Sequence, residues 1–278
     1  MPLGIRRGSG VAVVEMHGVI GSQIRTNAYT RIFESVARNK SYRALLLDID
    51  SPGGSAAGSE TLHRSIERVA ESKPVVAYVR GIGASGGYYL CCAASQVFTL
   101  PTSIVGSIGV IYLRPVLEQL LGRAGIEFSI FKGGKFKDMT GFWRSPTAEE
   151  SDRIQGLIDE IYDNFVQVVA KGRSMPEETV RELATGEVMT GQKGLEAGLV
   201  DHLGDFTDAL IAAAEAGKTR PRPKFLQPRR SLSQRLMGRT SAQAIPLAGL
   251  SDGLQRMLNG GIYYLDPAYL AGWPGEGG

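Results

Sequence analysis

The chain has 278 residues, 43% of them apolar, and a formal net charge of +3, enough for one large α/β domain or two small ones with a full core. No stretch approaches the roughly 18 to 20 uninterrupted apolar residues that span a bilayer, and Met1 to Gly10 has no apolar h-region, so neither a spanning helix nor a secretion or anchoring signal is expected. The only cysteines, Cys91 and Cys92, are neighbours in a small-residue apolar run, which suits a buried structural role and excludes a disulfide framework or a CxxC metal pattern.

Apolar, β-branched runs at Val11 to Val14, Ala44 to Ile49, Val75 to Val79, Val97 to Leu100, Ile104 to Ile111 and Ile126 to Phe131 predict strands. Helical stretches fall between them: Ala28 to Arg38, Ala56 to Glu71, a short one at Gly86 to Ala94, and Arg114 to Ala124. Their alternation predicts an α/β fold with a mostly parallel sheet covered by helices. From Thr147 to Gly172 the apolar positions recur at steps of three and four, giving one long amphipathic helix. Pro176 to Leu183 and Asp205 to Glu215 read as further helices, and Leu265 to Trp273 as a strand or a segment lying over the core. Between Lys218 and Arg239 there are eight Lys/Arg and no Asp or Glu. With Pro221, Pro223 and Pro228 interleaved, this segment reads as an extended, mobile linker. The expected division is a folded domain over residues 1–217 and a basic linker and tail over 218–278. A solvated tail is the plain reading of that charge; weak attraction to an anionic membrane surface is the alternative, without specific nucleic-acid recognition.

The densest chemical signal is Gly81 to Tyr89, GIGASGGYY, between the strand Val75 to Val79 and a helical run. A serine there sits on a sharp strand-to-helix turn. Flanking glycines permit positive φ and close approach of a substrate, and the N–H after the serine faces a developing oxyanion. Gly83 to Gly87 also fits the pattern G-x-S-x-G, although a plain glycine-rich packing turn would look the same. The second signal is Asp50 to Gly54, DSPGG, again at a strand end before a helix. It reads as an ordinary turn, or as a second backbone donor for an anion.

A serine nucleophile needs a base. The only histidines are His17, His63 and His202, none between Ser85 and Val200, so a base supplied soon after the nucleophile must be of another type. The candidates are the lysines of KGGKFKD, Lys132 to Asp138, which would otherwise be solvated loop cations. A lysine acts as base only when neutral, which requires desolvation or a neighbouring cation to lower its pKa well below about 10.4. If the segment were extended, Lys135 and Lys137 would share a face and one would depress the other.

In this order, DSPGG, GASGGYY, VGSIGVI and GGKFKD resemble the signal peptide peptidase A family, and the similarity runs from about Val11 to Leu203, including GEVMTGQKGLEAGLVDHLG. The resemblance implies a crotonase-like (Clp-protease-like) spiral of βαβ units and a serine-lysine dyad without cofactor or metal. It further implies hydrolysis of apolar peptides such as cleaved signal sequences, and assembly into homo-oligomers. By motif it assigns Ser85 as nucleophile, Lys137 as base, Ser107 as the hydroxyl that orients the lysine ammonium, and Gly86 with Gly53 or Gly54 as the oxyanion hole. Family members usually carry an amino-terminal membrane anchor, and none is read here. Three other readings are weighed against this one: an esterase using Ser85 with Asp201 and His202, an acyl-CoA hydratase on the same fold, and a scaffold that binds peptides without cutting.

Overall fold

The structure, a computed structural model, describes residues 10–228 and 261–265. These form two units, the larger comprising 10–110, 163–228 and 263–265, the smaller 111–162 and 261–262. The larger begins with β1 (Gly10–His17), α1 (Thr26–Arg38), β2 (Tyr42–Ser51), β3 (Gly53–Ser55), α2 (Ala56–Ala70), β4 (Val75–Ala84), α3 (Gly86–Cys91), β5 (Gln96–Thr99) and β6 (Ile104–Gly106). The smaller contains β7 (Ile111–Leu113), α4 (Glu118–Arg123) and the first part of α5 (Ala148–Arg173). Within α5 the chain re-enters the larger unit and continues through α6 (Glu177–Leu183), β8 (Val188–Thr190), α7 (Gly191–Glu196), β9 (His202–Leu203), α8 (Phe206–Ala216) and β10 (Pro223–Leu226). β11 (Gly261–Leu265) is the last described element.

The principal sheet lies wholly in the larger unit, in the order β10-β1-β2-β4-β5-β9, with β6 on β4 and β8 on β6. Every pairing is parallel except β6 with β8. The runs VAVV and ALLL in β1 and β2 are apolar on both faces because both faces are buried, as a parallel sheet requires. On one face Val11, Val13, Leu46, Val76 and Tyr78 pack with Ala209, Leu210 and Ala213 of α8. The alternate residues Ala12, Val14, Leu45, Leu47, Ala77 and Val79 are equally buried. α8 starts on a reciprocal cap, in which Asp205 accepts from the Asp208 N–H and Asp208 from the Asp205 N–H.

The mostly parallel α/β architecture is the one expected, with local differences. Ile104 to Ile111 is not one strand: Gly106 (φ 89°) and Ser107 (φ 51°) are consecutive left-handed residues, which end β6. α4 is shorter than expected because Pro115 disfavours helical backbone at Arg114. Ile126 to Phe131 is irregular rather than a strand, with Ile126, Phe128, Ile130 and Phe131 exposed and no ladder partner among the described residues. Part of the basic segment read as a mobile linker is instead edge strand β10, pairing in parallel with Val11 to Val14 of β1. Its Pro223 opens the strand, where a missing N–H is tolerated. Of the stretch Leu265 to Trp273, only Leu265 falls within the described residues, as the end of β11. No helix of the described residues is long and apolar enough to cross a membrane.

Across β1, β2 and β4, the fully buried Asp48 accepts from Arg80 and lies 3.6 Å from His17 Nε2. Burial by itself would raise the Asp48 pKa, but His17 and Arg80 outweigh it and hold the carboxyl below its ordinary range, while Asp48 in turn raises His17. Asp48→Asn is expected to cost about 1–2 kcal/mol, low for hydrogen bonds to a charged group because Arg80 stays half in water. The depressed carboxyl stabilises the fold above about pH 4 and its share is lost as pH falls through the native value; the raised histidine stabilises below about pH 6.5 and its share is lost as pH rises. Urea unfolding should therefore show the difference between wild type and variant largest near pH 5 to 6 and narrowing on both sides.

Candidate active site

The catalytic candidates of the larger unit are assembled by a bulge in β4. β2 and β4 pair as Ile49 with Val79 and then as Ser51 with Gly83, so Arg80 to Ile82 lie opposite a single residue, Asp50. The Asp50 carboxylate accepts the Ile82 N–H at 3.0 Å and holds the bulged strand. Before the bulge β4 pairs with β5, and after it with β6, whose Gly106 is opposite Ala84. Ser85 and Ser107 therefore both follow the last rung of one ladder, Ala84 opposite Gly106.

Ser85 has φ 52° and ψ −118° and stands at the head of α3. A non-glycine residue at positive φ costs about 1–3 kcal/mol and persists only where its surroundings enforce it. Here the Ser85 N–H donates to Gly106 O at 2.7 Å, and Ser85 O accepts from Tyr89 N at 2.9 Å. Ser107 is fixed in the same way, its N–H donating to Glu187 O at 2.7 Å. Both serines are buried.

Three backbones meet at this turn. A Cβ on Gly87 would stand 2.5 Å from Ser51 O, and one on Gly53 would stand 2.7 Å from Gly86 N. Gly53 (φ 100°) and Gly54 (φ 150°) both use conformations that side chains resist. The DSPGG and GASGG turns, far apart in sequence, are thus in direct contact, and the first-turn N–H of α3 lies against Gly53. The Gly53 N–H donates to Ser51 Oγ at 3.2 Å, so an oxyanion drawing on that donor would replace this acceptor. Ser51 belongs to the motif, yet only the fold reveals its hydroxyl beside Gly53. Among the described residues no group of three or more His, Cys, Asp or Glu side chains could hold a metal ion.

Lys137 belongs to the smaller unit, in the turns 135–140, where its N–H donates to Gly134 O at 3.3 Å and its side chain is exposed. The segment is not extended, so Lys135 and Lys137 do not form the expected face. Lys135 pairs with Glu149 and Lys132 with Asp138. Among the described residues no hydrogen bond or ion pair engages the Lys137 ammonium. The surrounding loop is braced by Arg144, which binds Glu150 at 2.7 and 2.6 Å and also pairs with Asp138, holding the Glu150 carboxyl down at about 2. Arg114 adds bonds to Met139 O and Gly141 O, each 2.8 Å.

The esterase alternative is not favoured by the surroundings of Asp201 and His202. Asp201 accepts from Arg173 at 2.9 and 2.7 Å and from the Val97 N–H at 2.7 Å, while the His202 ring lies over Phe98 at 4.6 Å. Cys91 and Cys92 are free and buried, and burial raises both thiols, Cys92 to about 12.

A family model of peptidase family S49 matches residues 67–220. Among curated relatives, a putative protease of Synechocystis is 40% identical over 204 residues, covering 73% of each chain. A putative signal peptide peptidase of Enterococcus faecium is 31% identical over 211 residues, 72% of this chain and 61% of its own. A chloroplastic serine protease of Arabidopsis thaliana is 34% identical over 196 residues, 70% of this chain but 29% of its own. The chain belongs to peptidase family S49, and its mostly parallel sheet agrees with the Clp-protease-like fold of that family.

The glycine contacts generate a direct test. Gly53→Ala places a methyl 2.0 Å from Tyr264 O at a positive φ, whereas a methyl at Gly133 meets nothing within 4 Å. Thermal or urea unfolding should show Gly53→Ala destabilised by about 1–3 kcal/mol and Gly133→Ala within about 0.5 kcal/mol of wild type.

Proposed function

We propose that this chain is a serine endopeptidase in which Ser85 attacks the peptide carbonyl and Lys137, as a neutral amine, is the general base. The observation that carries the reading is Ser85, held at positive φ between Gly53, Gly86 and Gly106. That arrangement puts the N–H of Gly86, a first-turn donor of α3, next to Ser85 as the group offered to a developing oxyanion. The choice of lysine is supported by elimination within the smaller unit, since Lys132 and Lys135 are neutralised by carboxylates and Lys137 is not.

In the cycle, Lys137 takes the Ser85 proton as Oγ bonds to the carbonyl carbon, and backbone N–H groups of Gly86 and of Gly53 or Gly54 hold the oxyanion. The lysine returns its proton to the leaving amine as the C–N bond breaks. Water then attacks the acyl-enzyme, giving its proton to the same lysine, and Ser85 leaves with that proton. Ser107 acts by orienting the ammonium. The substrates are extended apolar peptides such as cleaved signal sequences, a reading that rests on the relatives' names and on the family resemblance.

A fluorophosphonate probe and a peptide-hydrolysis assay test the assignment together. Ser85→Ala should lose labelling and hydrolysis with the fold intact. Lys137→Ala should slow both by about 100-fold or more, the usual contribution of a general base. Lys132→Ala and Lys135→Ala should retain most of the rate; equal losses at all three lysines would reduce Lys137 to bulk electrostatics. A folded chain that binds peptides but never labels at Ser85 would favour the scaffold.

We further propose that the chain assembles with copies of itself. The support is the exposed apolar surface of the smaller unit: Leu113, Val116, Leu120, Ile126, Phe128, Ile130 and Phe131, the last 96% exposed. Met139 to Trp143 adds little to that surface, being mostly half-buried, with Trp143 stacked on Phe128. Coexpressing Ser85→Ala and Lys137→Ala chains, each inactive alone, should restore part of the activity if serine and lysine come from different protomers. Random mixing leaves about a quarter of such interfaces intact. Verified mixed oligomers without activity would exclude the shared site.

A further inference from the structure

A cleft opens in the larger unit at the end of the principal sheet remote from Ser85. β2 and β4 begin there, at Tyr42 and Val75, and α1, α2 and α8 end there, whereas the Gly53 and Ser85 turns follow the far ends of the same two strands. The cleft measures about 580 Å³ and is lined by Arg38, Lys40, Arg43, Lys73 and Lys218, with no acidic side chain. Lys224 adds a further cation, its ammonium 5.8 Å from the centre of the Tyr42 ring.

Part of this charge has a structural use. Helix C-termini carry the negative end of the dipole and unpaired carbonyls; Lys73 Nζ donates to Val36 O and Asn39 O at the end of α1, and Arg43 Nε reaches Gly217 O at the end of α8. Arg38 pairs with Glu34. The rest exceeds that need. Three helix ends supply at most about −1.5 of charge, against five formal positive charges in the lining. Among the described residues no carboxylate pairs with Lys40, Arg43, Lys73 or Lys218. Lys73 keeps one N–H, and Arg43 both terminal nitrogens, for another acceptor. Burial first, and then the neighbouring Arg43, lower the Lys73 pKa, as two cations do that share a cleft without a counter-charge.

Clefts lined by one sign of charge concentrate the opposite ion. A guanidinium fork beside ammonium groups suits a dianionic phosphate, whereas a single carboxylate would leave more of the charge uncompensated. The volume exceeds what a phosphate alone fills and lies in the range of small-molecule sites, and Ala37, Tyr42, Pro74 and Ala216 give the same lining an apolar part. We propose that this cleft binds a phosphate monoester, its phosphate held by Lys40, Arg43 and Lys73 and its organic part against Tyr42 and Pro74. A soluble ester and a phosphomonoester lipid headgroup share that chemistry. The inference is independent of the peptidase reading, since no residue of the Ser85 site takes part.

The test titrates the full chain at low ionic strength with phenyl phosphate, inorganic phosphate and benzoate, and mixes it with phosphatidylcholine vesicles with and without phosphatidic acid. Phenyl phosphate should bind more tightly than inorganic phosphate, with benzoate weakest. Lys40→Gln and Arg43→Gln together should weaken binding of the phosphate probe about tenfold or more, because charge-assisted hydrogen bonds are lost. Lys193→Gln, at an exposed cation of α7, should change it by no more than about twofold. Binding of phenyl phosphate without the vesicles assigns the site to a soluble ester, and binding only of the phosphatidic acid vesicles assigns it to a headgroup; either upholds the cleft when the double variant loses it. Hydrogen exchange gives a readout that needs no substitution. The bound phosphate probe should slow exchange of the Ser72, Lys73 and Lys218 amides, which donate to helix-end carbonyls, and leave that of Ser85 unchanged. Failure of every phosphate probe to bind, benzoate binding as tightly as phenyl phosphate, or equal losses in the double variant and Lys193→Gln would overturn the proposal.

Discussion

The close approach of three backbones around Ser85 is the constraint on which the rest of the site depends. The turns after β2, β4 and β6 meet with no room for side chains at Gly53, Gly86 or Gly87. Once they meet, the position of Ser85 follows: its N–H is committed to Gly106 and its carbonyl to the first turn of α3. The left-handed conformation is then over-determined by its neighbours, which is the condition under which such strain survives. Glycine at these positions serves proximity more than flexibility.

That proximity would fail without the bulge in β4. A regular strand would carry its pairing with β5 straight to the strand end, and Ala84 could not sit opposite Gly106. By looping out Arg80 to Ile82 the chain changes partners from β5 to β6 and brings the serine turns of both strands to the end of the same rung. Asp50 holds the bulge through Ile82 N–H, and Arg80, displaced by it, pairs with Asp48. The buried charge cluster and the Ser85 turn are therefore two results of one irregularity.

The smaller unit is built by different means. Its loop from 126 to 147 has no regular secondary structure and is held by Arg114 and Arg144 to carbonyls and carboxylates, with Phe128, Phe142 and Trp143 clustered beside them. Such bracing fixes backbone without a ladder and leaves apolar side chains exposed. It also consumes the charges of Lys132 and Lys135. In a loop with three lysines, the acidic residues around them decide which one stays available.

The sequence by itself determined the parallel α/β core, because continuous apolar strands alternating with amphipathic helices leave few other ways to bury both faces of a sheet. It also determined the two glycine turns and the place of Ser85 on one of them, since those residue types in that order permit little besides tight backbone turns at strand ends; the turn at Ser107, inside a run that reads as one strand, was not among them. What it did not contain was anything set by partners remote along the chain. Ile126 to Phe131 has the composition of a strand and forms none, because a strand exists only where a neighbour completes its hydrogen bonds. Pro223 to Leu226 has the composition of a linker and pairs with β1 because an open edge was available there. Ser51 as the acceptor of Gly53, the carboxylates that take up Lys132 and Lys135, and Tyr264 over Gly53 and Gly86 were decided by the tertiary structure alone. Each is a contact between surfaces that exist only after the chain has folded, and no local pattern encodes it.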